Sequence, residues 1–196
     1  MYAYLEGKFT LKTPAYVYVD VNGVGFEVHI SLHTYSAIQS IDEGRLYTHL
    51  QIKEDGHVLF GFFEKEEKDI FLQLVSVSGV GAATARMMLS SIKPDEISNA
   101  IIQGNVRLLE SVKGIGKKTA ERLVLELKDK IGRHKSVNFL PGTSTATNNL
   151  EQDAMTALIS LGISRNQAEQ AIEKIIKSGI SISNLEDLIK KSLKAI

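Results

Sequence analysis

Hydrophobic and polar positions change their period along this chain. The run Tyr16-Val17-Tyr18-Val19-Asp20-Val21 alternates and is rich in β-formers, and after Asn22-Gly23 a second such run follows in Phe26-Glu27-Val28-His29-Ile30. An Asn-Gly pair between two alternating runs predicts a hairpin, because both residues tolerate the positive φ that the tightest turns require. Leu46–Ile52 and His57–Phe62 form a second pair, turned by Lys53-Glu54-Asp55-Gly56. With the N-terminal run Tyr2–Phe9, about five strands are expected, enough for a small closed barrel over residues 1–63. All six tyrosines and five of the seven phenylalanines lie in that stretch.

After Phe63 the period becomes helical. Phe71, Leu74 and Val75 stand at i, i+3 and i+4, and Pro94-Asp95-Glu96 opens a helix with proline and acids in the first turn. Leu123, Leu125 and Leu127 among charges carry the pattern to about Ile131, within an all-α segment spanning residues 64–136. Residues 137–149 are read as a flexible linker, since Pro141–Asn149 has neither charge nor periodicity. Three short amphipathic helices follow in residues 150–196. Their apolar positions are Ala154/Leu158/Leu161, then Ala168/Ile172/Ile175/Ile176, then Leu185/Leu188/Ile189/Leu193. Gly162 and Gly179 are expected to end the first two helices, and Ser164 and Ser183 to cap the next ones. The fold class is therefore multidomain α+β.

Composition narrows the chemistry. Without cysteine there is no disulfide framework, thiolate metal site or thiol nucleophile. Lacking a charged-then-apolar leader or an 18-residue apolar run, the chain reads as soluble and cytoplasmic, with no membrane partner. The net charge of zero hides a segregation. Residues 111–135 hold 8 basic and 3 acidic side chains, whereas residues 1–62 hold 4 and 7. Local concentration of positive charge, rather than the total, governs a phosphate contact.

One internal repeat stands out. Val77-Ser78-Gly79-Val80-Gly81-Ala82-Ala83-Thr84-Ala85-Arg86 aligns without gaps, 35 residues on, with Val112-Lys113-Gly114-Ile115-Gly116-Lys117-Lys118-Thr119-Ala120-Glu121. Each copy reads as helix, Gly-apolar-Gly hairpin, helix. The glycines permit positive φ and close backbone approach, and Val80 or Ile115 anchors the turn. The amides that follow open the next helix, so their free N–H groups and the helix dipole suit a phosphate. A single Gly-x-Gly is most simply a tight helix–helix turn. Two copies in register, the second with Lys113, Lys117 and Lys118, point to backbone-phosphate clamps that read no base sequence.

In this order the segments resemble the bacterial RuvA family, the Holliday-junction-recognition subunits of the RuvA–RuvB branch-migration complex. The local marks are Met1-Tyr2-Ala3-Tyr4-Leu5-Glu6-Gly7, the Lys53-Glu54-Asp55-Gly56 turn with Leu59-Phe60-Gly61-Phe62, and Val112 through Ala120. The resemblance implies an oligonucleotide-binding-type barrel, a tandem helix-hairpin-helix domain and a C-terminal three-helix bundle that docks the RuvB motor. It also implies a homotetramer, or two tetramers, on an open four-way DNA junction, with the RuvC resolvase as a further partner. Glu54 and Asp55 would be a central acidic pin that repels phosphates at the crossover; taken alone, they read as a solvated turn. Leu161, Gly162 and Ile163 are the expected motor-facing residues. Two departures are visible: Ala82-Ala83 stands where many relatives have a basic residue, and the linker is neutral.

Other readings find less support. Helix-hairpin-helix DNA glycosylases place a nucleophilic lysine at the position of Lys118, but where they need an aspartate one helix later this chain has Lys135, Ser136 and Val137. A nucleotide-binding loop would need Gly-x4-Gly-Lys-Ser/Thr, whereas Ser111 and Lys118 occupy the outer positions, so no ATPase and no cofactor are expected. His29 and His33, four apart, lack a third metal ligand. A general duplex-binding adaptor without junction preference remains as the alternative, and Glu54-Asp55 is what discriminates against it.

Overall fold

The computed structural model describes residues 2–54, 56–138, 146–178, 182 and 184–196, without the side chains of residues 133–138 and 146–149. Residues Met1–Ser136 form one compact unit and Val137–Ile196 a second.

In the first unit, five strands close into a barrel in the order β1-β2-β3-β5-β4. They are β1 (Tyr4–Lys12), β2 (Tyr16–Val21), β3 (Val24–His29), β4 (Glu43–Lys53) and β5 (Gly56–Phe62). All pairs are antiparallel except β3 with β5, which meet in parallel at His29 and Phe60. The Asn-Gly turn forms as read: Val21 pairs with Val24, and Asn22 and Gly23 take φ of 52° and 87°. Alternation then decides what enters the barrel. Val17 and Val19 are buried while Tyr18 between them faces out, and Leu5, Phe9, Val28, Ile38 and Leu46 complete the core. One element here leaves no periodic trace in the sequence. A seven-residue helix, α1 (Leu32–Ile38), joins β3 to β4 and is capped by Ser31, whose Oγ accepts from the Thr34 amide at 3.0 Å. His33 therefore sits on a helix, and among the described residues no three His, Asp or Glu side chains group around a metal-sized site.

The barrel continues directly into α2 (Lys65–Val75), α3 (Ala82–Ser91), α4 (Pro94–Gln103), α5 (Val106–Glu110) and α6 (Lys117–Asn138). Pro94 occupies the first turn of α4 with Asp95 and Glu96 beside it, as expected from the sequence. One helical core holds Phe71, Leu74, Met88, Ile97, Ile101, Leu109, Leu123 and Leu127, and it also takes in Phe60 and Phe62 from the end of β5. Phe71 lies 5.2 Å from the Phe60 ring and 4.8 Å from the Phe62 ring. Barrel and hairpin helices thus share apolar packing. Leu125 corrects the grouping of three leucines. Two residues after Leu123 a helix has turned about 200°, so Leu123 and Leu127 are buried while Leu125 is 82% exposed.

In the second unit, α7 (Ala146–Ser160), α8 (Arg165–Lys177) and α9 (Leu185–Ala195) enclose Ala154, Leu158, Ala168, Ile172, Ile175 and Leu188. Ile176 and Leu193 stand at the edge of this face, 38% and 41% exposed. Ser164 caps α8, while Asn184, through the Asp187 amide at 2.9 Å, caps α9. Gly179 and Ser183 lie outside the described residues, as does the centre of the expected linker. Its edges do not: residues 137–138 end α6 and residues 146–149 begin α7. Thr and Asn, which suggest loop when read alone, are also the residues favoured where helices start. Among the described residues no helix is long and apolar enough to cross a membrane.

Candidate nucleic-acid interface

The duplicated motif folds into two hairpins with the same backbone bonding. In the first, Ser76–Gly81 link α2 to α3; in the second, Ser111–Gly116 link α5 to α6. The Val77 amide donates to Leu74 and the Val80 amide to Val77; likewise Val112 donates to Leu109 and Ile115 to Val112. Gly79 and Gly114 adopt φ of 93° and 95°, a region that costs a side chain strain, so the equivalence in sequence is an equivalence in conformation. Val80 and Ile115 are buried, as anchoring requires.

Each hairpin then presents a helix start. The first backbone bonds of α3 and α6 run from Ala85 to Gly81 and from Ala120 to Gly116, at 2.9 and 3.0 Å. The preceding amides of Ala82 and Ala83, and of Lys117 and Lys118, are the donors that a helix start leaves over. Gly81 offers them no side-chain cap, and nothing lies within 4 Å of where a Cβ would stand at Gly79, Gly81 or Gly116. An anion can therefore approach those amides closely, with the positive end of the helix dipole behind them. A methyl group on Gly114 would lie 3.9 Å from Thr84 Cγ2, which brings the two repeats together.

Side chains distinguish the two sites. Lys113, Lys117 and Lys118 are exposed around the second hairpin, where Ser78, Ala82 and Ala83 stand around the first. Ala82 is buried, whereas Lys117 at the matching position is exposed.

The acidic turn belongs to the same unit. β4 and β5 pair out to Lys53 and Gly56, leaving Glu54 exposed at the hairpin end; Asp55 lies outside the described residues. Ile52 beside it is 68% exposed, so this end projects clear of the barrel core.

Periodicity did not reveal the residues that join barrel to hairpins. Arg86 on α3 donates to the Ala15 carbonyl at 2.8 Å and lies 3.1 Å from His29 Nδ1. The Leu32 amide donates to Ser90 Oγ at 3.1 Å. Glu67 on α2 is buried against Ser31 and Thr34, and this burial pushes its carboxyl above the ordinary carboxylate range. Burial, reinforced by Arg86, lowers His29, and burial with Lys68 lowers His49. Only the Ser31 cap carried a sequence signal; in Glu64-Lys65-Glu66-Glu67 nothing marks which acid turns inward.

In the second unit, the expected motor-facing residues fall in the α7–α8 turn. Gly162 has φ of 91°, and the Ile163 amide reaches back to the Leu158 carbonyl at 3.1 Å, closing a Schellman cap. Leu161 is 63% exposed, but Ile163 packs on the bundle core.

Comparison with known proteins agrees with this architecture. Family models for the RuvA N-terminal domain, a SAM-like helix-hairpin-helix tandem and the RuvA C-terminal domain match residues 1–61, 71–129 and 149–196. The chain is 45% identical to a Holliday junction branch migration complex subunit RuvA from Cytophaga hutchinsonii, covering 87% of each chain. Proteins of the same description from Christiangramia forsetii and Flavobacterium psychrophilum are 47% and 48% identical, covering 86% and 87% of each chain. A barrel, a duplicated hairpin and a three-helix bundle in this order, matched over their lengths, place the chain in the RuvA family.

Proposed function

We propose that this chain is the DNA-recognition subunit of a branch-migration complex, holding a four-way junction in an open, square form. The observation that supports it most is the presence, in one compact unit, of two bare helix-start hairpins and an exposed acidic hairpin end. The hairpins attract phosphates through backbone donors and lysines, while the acids repel them. A plain duplex binder gains nothing from acids near DNA, whereas a junction opens a central space in which acids penalise only the wrong substrate. Glu54 and Asp55 are the pin; the hairpin residues Gly79 to Ala83 and Lys113 to Lys118 are the clamps. Because one chain contributes one acidic turn, a four-armed substrate calls for a homotetramer, alone or paired with a second.

The chain has no nucleotide-binding loop, so ATP-driven movement is supplied in trans by the RuvB motor, with RuvC resolvase acting on the same cytoplasmic complex. The second unit, with Leu161 exposed at a turn that Gly162 and Ile163 hold in shape, is the motor's docking module.

A gel-shift competition between a synthetic four-way junction and linear duplex of the same sequence tests this reading. The chain should prefer the junction, and Glu54→Gln/Asp55→Gln should gain duplex affinity and narrow the preference. Equal binding of both DNAs by the unaltered chain would reduce it to a general duplex adaptor.

A further inference from the structure

Glu67 has no exposed surface, and a carboxylate is kept inside only when hydrogen-bond donors meet it there. Two do. Ser31 Oγ donates to Oε1, and Thr34 Oγ1 donates to Oε2 at 2.6 Å. Both hydroxyls are engaged on their other side as well: Ser31 Oγ accepts from the Thr34 amide at 3.0 Å, and Thr34 Oγ1 from the Phe63 amide at 3.1 Å. The carboxylate therefore terminates two hydrogen-bond chains that polarise one another in a low-dielectric site.

The elements so joined are specific. Ser31 and Thr34 begin α1, which feeds β4; Phe63 directly follows β5; and Glu67 lies on α2, which runs into the first hairpin. β4 and β5 are the two arms of the acidic hairpin. One side chain thus links the start of α1, the segment that leads into β4, to the helix that delivers Gly79, and through Thr34 Oγ1 it also reaches the Phe63 amide just after β5. Arg86 and Ser90, from α3 on the far side of the same turn, add the second attachment.

We infer that Glu67 is a positioning residue for junction discrimination, setting the spacing between the acidic hairpin end and the first phosphate clamp. This rests on the junction reading above. The hairpins bind phosphate wherever the acids stand, but the acids penalise duplex only if held at a defined distance from the clamped strand. A wandering tip loses selectivity while affinity survives.

The absence of cysteine allows clean labelling: Lys53→Cys and Ser78→Cys place spin labels on the acidic hairpin and beside the first clamp, both at exposed positions. In the full chain without DNA, the label distance should be single and narrow. Glu67→Gln, folded by circular dichroism, should broaden it by several ångströms. The same variant should bind duplex at least as well, and its junction-over-duplex ratio should fall about tenfold, the scale of one charge-assisted hydrogen bond. Should Glu67→Gln fail to fold, Thr34→Val removes one arm of the bracket and is read in the same way. An unchanged distance or an unchanged ratio in a folded variant overturns the inference. A wild type without junction preference overturns the junction reading and this inference together, whereas the inference alone falls if the wild type prefers junctions and the variant's distance does not change.

Discussion

The two hairpins of this protein share a backbone and differ in nearly everything attached to it. The first is neutral, and the helices on both sides of it are bonded to the barrel through Glu67, Arg86 and Ser90. The second is ringed by the exposed Lys113, Lys117 and Lys118. At matching positions Arg86 is half-buried at the interface, while Glu121 is exposed. A duplicated motif thus conserves what main-chain conformation does and frees side chains to specialise. On the reading proposed above, the first hairpin sets register and the second supplies charge.

The strongest way to break this comparison is to attack what the hairpins share. Gly79→Val and Gly114→Val each place a β-branched residue at a φ above 90°, which costs about 2 kcal/mol or more in backbone strain. Each should weaken junction binding in gel shift by roughly tenfold to a hundredfold, irrespective of DNA sequence. Unaltered binding by a folded variant would remove that hairpin from the interface.

Charge should separate the two sites at the next level. Lys117→Gln/Lys118→Gln should lower affinity and flatten the dependence of log K on log salt by about one for each phosphate no longer neutralised. Ala83→Lys, at an exposed position matching Lys118, should do the reverse at the first hairpin. If both changes leave the salt slope unmoved, the lysines are solvated bystanders.

The smallest effect is the dependence of stability on pH, which arises where the barrel packs on α2. Glu67 is held above its ordinary value of 4.5, chiefly by burial. Above 4.5 the folded chain keeps for a while a proton that the unfolded chain has lost, so stability falls as pH rises from there. His49 is held below 6.5, again chiefly by burial, so the unfolded chain takes the extra proton and stability falls as pH drops beneath 6.5. Melting temperature against pH should lose its acid-side decline in His49→Phe and its opposite slope in Glu67→Gln. Curves that superpose on the wild type would show that these groups do not titrate on folding.

Much of this is legible in the sequence, and for local reasons. Asn22-Gly23, Pro94-Asp95-Glu96, Ser164 and the paired glycines act through their own backbone preferences, which are the same in any fold. The alternation of Val17 and Val19 with tyrosines required only a barrel interior to fill. Helix α1 escaped notice because seven residues between strands are too few to establish a period, although its Ser31 cap was there to read.

The barrel, the repeat, the left-handed glycines and the placement of lysines around one hairpin are written in the chain itself, since each follows from residue chemistry within a few positions. Long-range packing sets the rest: Glu67, among neighbouring acids, turns inward, Leu125 faces solvent between two buried leucines, and Arg86 reaches Ala15. The inward turn of Glu67 and the reach of Arg86 depend on partners 33 and 71 residues away, and burial and hydrogen bonding between distant segments leave no periodic trace along the chain.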